Sequence, residues 1–298
     1  MLDQLTGFHI EPTNICTLKC PRCARTKFIE QFPRAWRNHQ LSVSALDRFM
    51  DIDLAGKEFD LCGNTGDPIY YDQLFELIQW IHDRGAQVHI TTNGSYRTEK
   101  WWATLAMLLT EKDSVAFSVD GLPGNFTQYR VNADWPSIEL GMLAMRNSPA
   151  TTQWKYIPFA FNEHNIEQAR ALSVELGIDQ FIVTPSDRWD EEDPLRPTTY
   201  IGAREQPITL WHKQSNIEID PLCKKVHNQH YISAEGFYMP CCYVGDYRFY
   251  YKSEFHKNKS QYDISKNTIS EILTTTQNFY NSIEQTAPSY CTYNCPRL

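Results

Sequence analysis

At 298 residues, with 42% of them hydrophobic, the chain is long enough for one large α/β domain and a smaller appendage. A net charge of −8 argues against general nucleic-acid binding, which needs clustered cations, and no run of about 18 apolar residues is present to span a membrane. The start, MLDQLTGFHI, has neither the basic nor the apolar region of a secretory signal, so a reducing cytoplasm is expected, where nine cysteines call for something other than structural disulfides.

In chain order, TGFHIEP (6–12) reads as a first strand and leads into a cysteine-bearing loop. A helix begins near Ser42, a good N-cap, with Leu46, Phe49 and Met50 on its apolar side. EFDLCG (58–63) is a second strand, and YDQLFELIQWIHDRG (71–85) a helix closed by Gly85. QVHITTNG (87–94) is a third strand, followed by a helix over 98–110. SVAFSVDG (114–121) is a fourth, followed by a helix over 135–146. WKYIPFAFN (154–162), a helix over 166–177 and DQFIVTPS (179–186) complete six strand–helix units. Strands alternating with helices imply right-handed crossovers and a parallel sheet. Six units are too few to close an eight-stranded barrel, so an open (β/α)6 arrangement is expected over 1–186.

Residues 187–222 are rich in proline and charge without a clear period and read as a connection, whose Asp187, Arg188 and Asp190 are candidates to face a substrate or simply solvent. The remainder, 223–298, carries five cysteines, a stretch that reads as a hairpin (HYISAEGFYMPCC) and a helical stretch near 268–286.

Cys16, Cys20 and Cys23 form a CxxxCxxC loop directly after the first strand. Three thiolates at that spacing can bind zinc, form a redox pair or hold an iron–sulfur cube. Structural zinc prefers four protein ligands, and the nearest fourth candidate is His9, back within the strand. A cube held by three cysteines keeps one iron open.

CxxxCxxC after the first strand of a partial barrel resembles the radical S-adenosylmethionine (radical SAM) superfamily. The resemblance implies a partial (β/α)6 TIM-like barrel whose 4Fe–4S cluster is held by Cys16, Cys20 and Cys23. It implies that the open iron chelates S-adenosylmethionine, and that an electron from the cluster cleaves it to a 5′-deoxyadenosyl radical. CGNTGDP (62–68) resembles the family's GGEP segment, which binds the methionine amino group. Gly63 and Gly66 would let the backbone approach the ligand, and Asn64, Thr65 and Asp67 would supply polar contacts. Thr92 and Asn93 after the third strand, and Ser118 and Asp120 after the fourth, fall where family members contact the ligand. These are carboxyl ends of parallel strands, where α/β sheets bind ligands. Arg130 is the candidate partner of the methionine carboxylate, and Asn162 of the ribose. One departure is Arg22, which stands before the third cysteine where the family usually has an aromatic residue near adenine.

Cys223 and Cys241 flank Gly236 in a C-x12-G-x4-C pattern, with Cys291 and Cys295 near the end. By spacing alone, four thiolates suit zinc or an iron–sulfur cube equally. The pattern resembles the SPASM or twitch extension, a small α+β hairpin-and-helix domain, here 223–298. Residues 243–290 lack further cysteines, so one auxiliary 4Fe–4S cluster is implied. Glycine spacing favours Cys241 over the adjacent Cys242, and Cys62 reads as a strand-end residue beside the ligand pocket. The activity implied is hydrogen-atom abstraction from a small molecule, with a flavodoxin- or ferredoxin-type reductant. The alternatives are a ribosomal-peptide or protein maturase and, from another class, a non-catalytic iron–sulfur electron carrier or scaffold. The early first strand leaves no room for a separate peptide-recognition domain before it, which trims the maturase reading.

Overall fold

The computed structural model describes residues 4–186, 192–199, 218–228 and 230–295. Its strands are β1 (Gly7–Ile10), β2 (Glu58–Leu61), β3 (Gln87–Thr92), β4 (Ser114–Ser118), β5 (Thr151–Tyr156), β6 (Gln180–Val183), β7 (His230–Ile232) and β8 (Tyr238–Met239). Six helices accompany the first six strands: α1 (Ala24–Gln31), α2 (Val43–Phe49), α3 (Leu74–His82), α4 (Glu99–Leu108), α5 (Trp135–Met145) and α6 (Ile166–Glu175). Five more follow among the described residues: α7 (Leu222–Lys225), α8 (Tyr247–Tyr250), α9 (Glu254–Lys257), α10 (Ile269–Thr286) and α11 (Ser289–Asn294). β1 to β6 are parallel and lie in chain order, as in a partial TIM-like barrel, and β7 and β8 extend the sheet beyond β1. No helix among the described residues is long and apolar enough to cross a membrane.

The chain forms two compact units that do not follow sequence order. One comprises 1–15, 28–88 and 214–298, the other 16–27 and 89–213. In the first unit, β1 pairs with β2 from Gly7↔Glu58 to Ile10↔Leu61. Phe8, Ile10, Phe59 and Leu61 are buried, as are Leu77, Ile78 and Ile81 of α3 at the spacing of one helix face. β7 pairs parallel with the other edge of β1, Phe8↔His230 to Ile10↔Ile232, and returns antiparallel as β8. Gly236 at φ +82° makes that return possible, a conformation that costs a side-chain-bearing residue energy. The C-terminal hairpin is therefore built onto the strand that precedes the cysteine loop. α10 begins with a capping box between Thr268 and Glu271, which satisfies two of its first N–H groups.

In the second unit, β4 pairs with β3 and β5, and β5 with β6. Val115, Phe117, Trp154 and Tyr156 are fully buried. Thr98 and Asp134 cap α4 and α5, their side chains accepting from Trp101 N and Ser137 N. β5 differs from the sequence expectation: it starts at Thr151 and ends at Tyr156, not at Asn162. Pro158 has no N–H for a ladder, and Asn162 folds the chain back by accepting from Phe159 N (2.6 Å) and donating to Ile157 O (3.1 Å). Of the expected connection, 192–199 and 218–222 are described, and the former packs on this loop through Ala160 N to Leu195 O (3.1 Å). Asp187, Arg188 and Asp190 lie outside the described residues.

Candidate cluster and cofactor site

The CxxxCxxC loop belongs to the second unit. Cys20 is buried and Cys16 and Cys23 are half-buried, and all three pack with Leu18, Tyr129 and Phe159, along with Ile157, Phe161 and Leu195. The loop is pinned by Lys19 N to Val131 O (3.0 Å) and tightened by Cys23 N to Cys20 O (3.1 Å), and α1 begins immediately after it. Arg25 donates to the Leu18 carbonyl. Asn93 Nδ2 donates to Cys16 Sγ (3.6 Å), so one expected cofactor residue touches an expected ligand.

Asp120 and Arg130 form a buried ion pair, Arg130 Nε donating to Asp120 Oδ2 (2.6 Å), while Ile157 N donates to Asp120 Oδ1 (2.9 Å). Burial pushes the Asp120 carboxyl up and the Arg130 guanidinium pulls against it. Burial works to lower Arg130, but Asp120 and Cys20 outweigh it, so Arg130 stays charged. Burial likewise raises the Cys20 thiol, opposed first by Arg130. Arg130 is thus a fixed cation beside the central cysteine. Thr92 Oγ1 accepts from Gly94 N (3.0 Å) and Asn93 Oδ1 from Ser95 N (2.9 Å), so both shape the turn after β3. Ser118 ends β4, half-buried. Asn162 uses its amide on its own loop, as described above. Arg22, beside Cys23, pairs with the buried carboxylate of Asp193.

The loop 62–68 belongs to the first unit, and a residue outside the expected set organises it. Glu11 is 4% exposed, and its Oε1 accepts from Thr65 N (2.7 Å), Thr65 Oγ1 (2.8 Å) and Gly66 N (2.9 Å). Its Oε2 accepts from Tyr231 OH. A carboxylate at the end of β1, next to a proline-led turn, was the available sequence signal. The glycines serve the loop itself. A Cβ on Gly66 would stand 1.8 Å from the Thr13 carbonyl oxygen, and one on Gly63 would stand 2.8 Å from Glu11 Oε1. Asn64 Nδ2 donates to the Cys242 carbonyl (2.7 Å), and Asp67 caps the turn Pro68–Tyr70 through Ile69 N (3.2 Å). His9 contacts the Cys62 carbonyl through Nε2 (2.6 Å), and burial lowers its pKa.

Cys223 in α7, Cys241, Cys291 in α11 and Cys295 line one small pocket of the first unit, with Tyr290 and Tyr243. Cys242 is not in that lining. Cys291 and Cys295 are one helical turn apart, joined by Cys295 N to Cys291 O (2.7 Å), and Asp220 N donates to the Cys295 carbonyl (2.8 Å). Burial pushes the thiol of Cys223 up to about 12 and that of Cys241 to about 11, the latter opposed by backbone N–H groups of Val244 and Tyr243. Without metal these thiols are neutral at pH 7, and ligation would release their protons. No group of three or more His, Cys, Asp or Glu side chains among the described residues is gathered tightly enough for a single metal ion.

No protein-family profile matches the chain, and no curated protein matches it. Solved structures do. SuiB of Streptococcus suis bound to S-adenosylmethionine aligns with a TM-score of 0.59 at 14% identity, covering 87% of this chain and 66% of SuiB. The enzyme anSMEcpe with bound AdoMet and the Kp18Cys peptide aligns with a TM-score of 0.57 at 13% identity, covering 92% of this chain and 82% of that one. The chain thus spans just under two thirds of SuiB's length. Both structures hold S-adenosylmethionine. At these identities the likeness is one of fold: the chain shares the parallel-strand α/β fold of these S-adenosylmethionine-bound proteins.

Proposed function

We propose that the protein is a radical SAM enzyme with one auxiliary cluster. The observation that carries this reading is the packing of Cys16, Cys20 and Cys23 on one apolar wall, with the Asp120–Arg130 pair beside Cys20. Three thiols suit a 4Fe–4S cluster with one open iron, which when bound supplies the electron for reductive cleavage of S-adenosylmethionine and hence hydrogen-atom abstraction. Arg130, held by Asp120, is the cation for the methionine carboxylate. Gly63 to Asp67, shaped by Glu11, present backbone groups to the methionine amine. Thr92, Asn93 and Ser118 border the cofactor, and Asn162 shapes the loop beneath the ribose. Cys223, Cys241, Cys291 and Cys295 hold the auxiliary 4Fe–4S cluster. Their arrangement around a pocket, and not a point, supports a cube over zinc, and the pocket lining supports Cys241 over Cys242.

The substrate offers a C–H bond, on a small molecule in the first reading. A peptide is the second, favoured by the peptides bound in the structures of SuiB and anSMEcpe. A flavodoxin- or ferredoxin-type protein of the cytoplasm supplies electrons. Reduced, reconstituted protein incubated with S-adenosylmethionine should yield 5′-deoxyadenosine, Cys20→Ala should abolish it, and Arg130→Ala should weaken cofactor binding by about 1.5–3 kcal/mol. Deoxyadenosine from Cys20→Ala at the wild-type rate would refute the assignment, and an electron carrier would release none from either protein.

A further inference from the structure

A cavity of about 120 Å³ lies within the first unit, apart from the thiol-lined pocket. Six aromatic side chains, Phe28, Trp36, Tyr231, Tyr247, Tyr250 and Tyr251, line it. Phe28 stands 5.7 Å from Trp36, 5.4 Å from Tyr247 and 6.1 Å from Tyr251, centroid to centroid, and Tyr250 lies 5.4 Å from Tyr251. Two carboxylates line the same space, the exposed Glu235 and the buried Glu11. Glu11 Oε1 is saturated by three donors, whereas Oε2 takes only the Tyr231 hydroxyl among the described residues. Two basic side chains share the lining, Arg37 bonded to backbone carbonyls and His39 within ion-pair distance of Glu235 when protonated. Arg37 Nη1 donates to the carbonyls of Arg34 (2.9 Å) and Trp36 (2.7 Å), and His39 Nε2 is 3.9 Å from Glu235. Tyr250 is 8% exposed, and its hydroxyl has no hydrogen-bond partner among the described residues, a condition that costs about 1–3 kcal/mol until something satisfies it.

Aromatic faces and carboxylates both attract positive charge, and an apolar wall takes a hydrocarbon stem. The volume is below the roughly 150 Å³ of an apolar cavity that holds benzene, so the guest is a single group and not a whole cofactor. We propose that this cavity binds an alkylammonium group, such as a lysine side chain presents, with its stem on the rings of Phe28, Trp36 and Tyr251 and its charge toward Glu235. The three N–H donors of such a group can serve the Glu235 carboxylate and the Tyr250 hydroxyl together. This assignment does not depend on the cluster chemistry.

The test is isothermal titration of the full-length chain with n-butylammonium chloride at low ionic strength, with n-butanol as the neutral isostere. Butylammonium should bind at least about ten-fold tighter than butanol, and Glu235→Gln and Trp36→Leu should each weaken it about five- to ten-fold. Glu235 is 40% exposed at its side chain, so its variant should fold normally. Absence of binding, equal affinity for butanol, or unchanged affinity in both variants overturns the proposal. The titration needs neither iron nor S-adenosylmethionine, so its result stands even if the radical assay fails.

Discussion

Glu11 offers the sharpest test of how the 62–68 loop is held. Replacing it with alanine removes the acceptor for Thr65 N, Thr65 Oγ1, Gly66 N and Tyr231 OH at once. Thr65 and Gly66 are half-buried, so water can recover part of their loss, but Tyr231 is 1% exposed and its hydroxyl would be stranded. A stranded buried donor costs about 1–3 kcal/mol, and a lost bond to a charged acceptor about as much. Taking about 2 kcal/mol for Tyr231 and half that for the loop donors together gives about 3 kcal/mol in all. Glu11→Gln keeps the shape and one carbonyl oxygen for the loop donors, and Tyr231 can turn to accept from the amide, so about 1 kcal/mol is expected. Urea denaturation of both variants, read by the shift in midpoint at unchanged slope, measures the difference. A Glu11→Ala protein within about 1 kcal/mol of wild type, or as stable as Glu11→Gln, would refute this account of the loop.

Gly66→Ala should be more damaging than an ordinary glycine substitution, because the Cβ would collide with the Thr13 backbone; insoluble protein or a loss above about 3 kcal/mol is expected, and a near-neutral effect would show the loop adapts freely. His230, buried and bonded to Tyr238 OH, has its pKa lowered to about 4, chiefly by burial. The unfolded chain binds a proton there more readily, so the contribution of His230 to stability should be full above about pH 6.5 and fall as pH drops toward 4, by up to about 3 kcal/mol, and His230→Gln should reduce the overall slope while that of the buried His9 remains. Anaerobically reconstituted protein should carry about eight irons, and alanine at Cys16, Cys20 and Cys23 together should leave about four, whereas a stoichiometric zinc would defeat the auxiliary-cluster reading. Removing residues 290–298 should lose the second set of about four irons and spare the first.

The alternation of strands and helices was legible because each element carries its own period, as in α3, where every third or fourth residue is apolar and buried. Ser42 marked a helix start for the same local reason, and Thr98 and Thr268 turn out to cap the helices that follow them. The β5 boundary was missed because TTQ at its start reads as polar loop, while Thr152 is buried through its bond to Asp179, far along the chain. The cysteine spacings announced candidate ligands, and Asp120 and Arg130 were named singly, but their pairing and the partners of Glu11, 54 to 220 residues away, depend on contacts formed only in the fold. α11 escaped notice because a six-residue helix has too little length for a period. Asn64 reads as a ligand contact in sequence, yet its amide is committed to the Cys242 carbonyl.

The parallel seat of β7 on β1 has a consequence during synthesis. One edge of β1 finds β2 within some fifty residues, while its other edge waits for a strand more than 200 residues later. At about 5–20 residues per second the ribosome takes roughly 10–45 s to deliver that partner. Through that interval GFHI presents bare amides and carbonyls, a template for any passing strand. Chains cut short before residue 230 should accumulate as aggregates, and a holdase that masks the nascent edge should raise the yield of full-length protein.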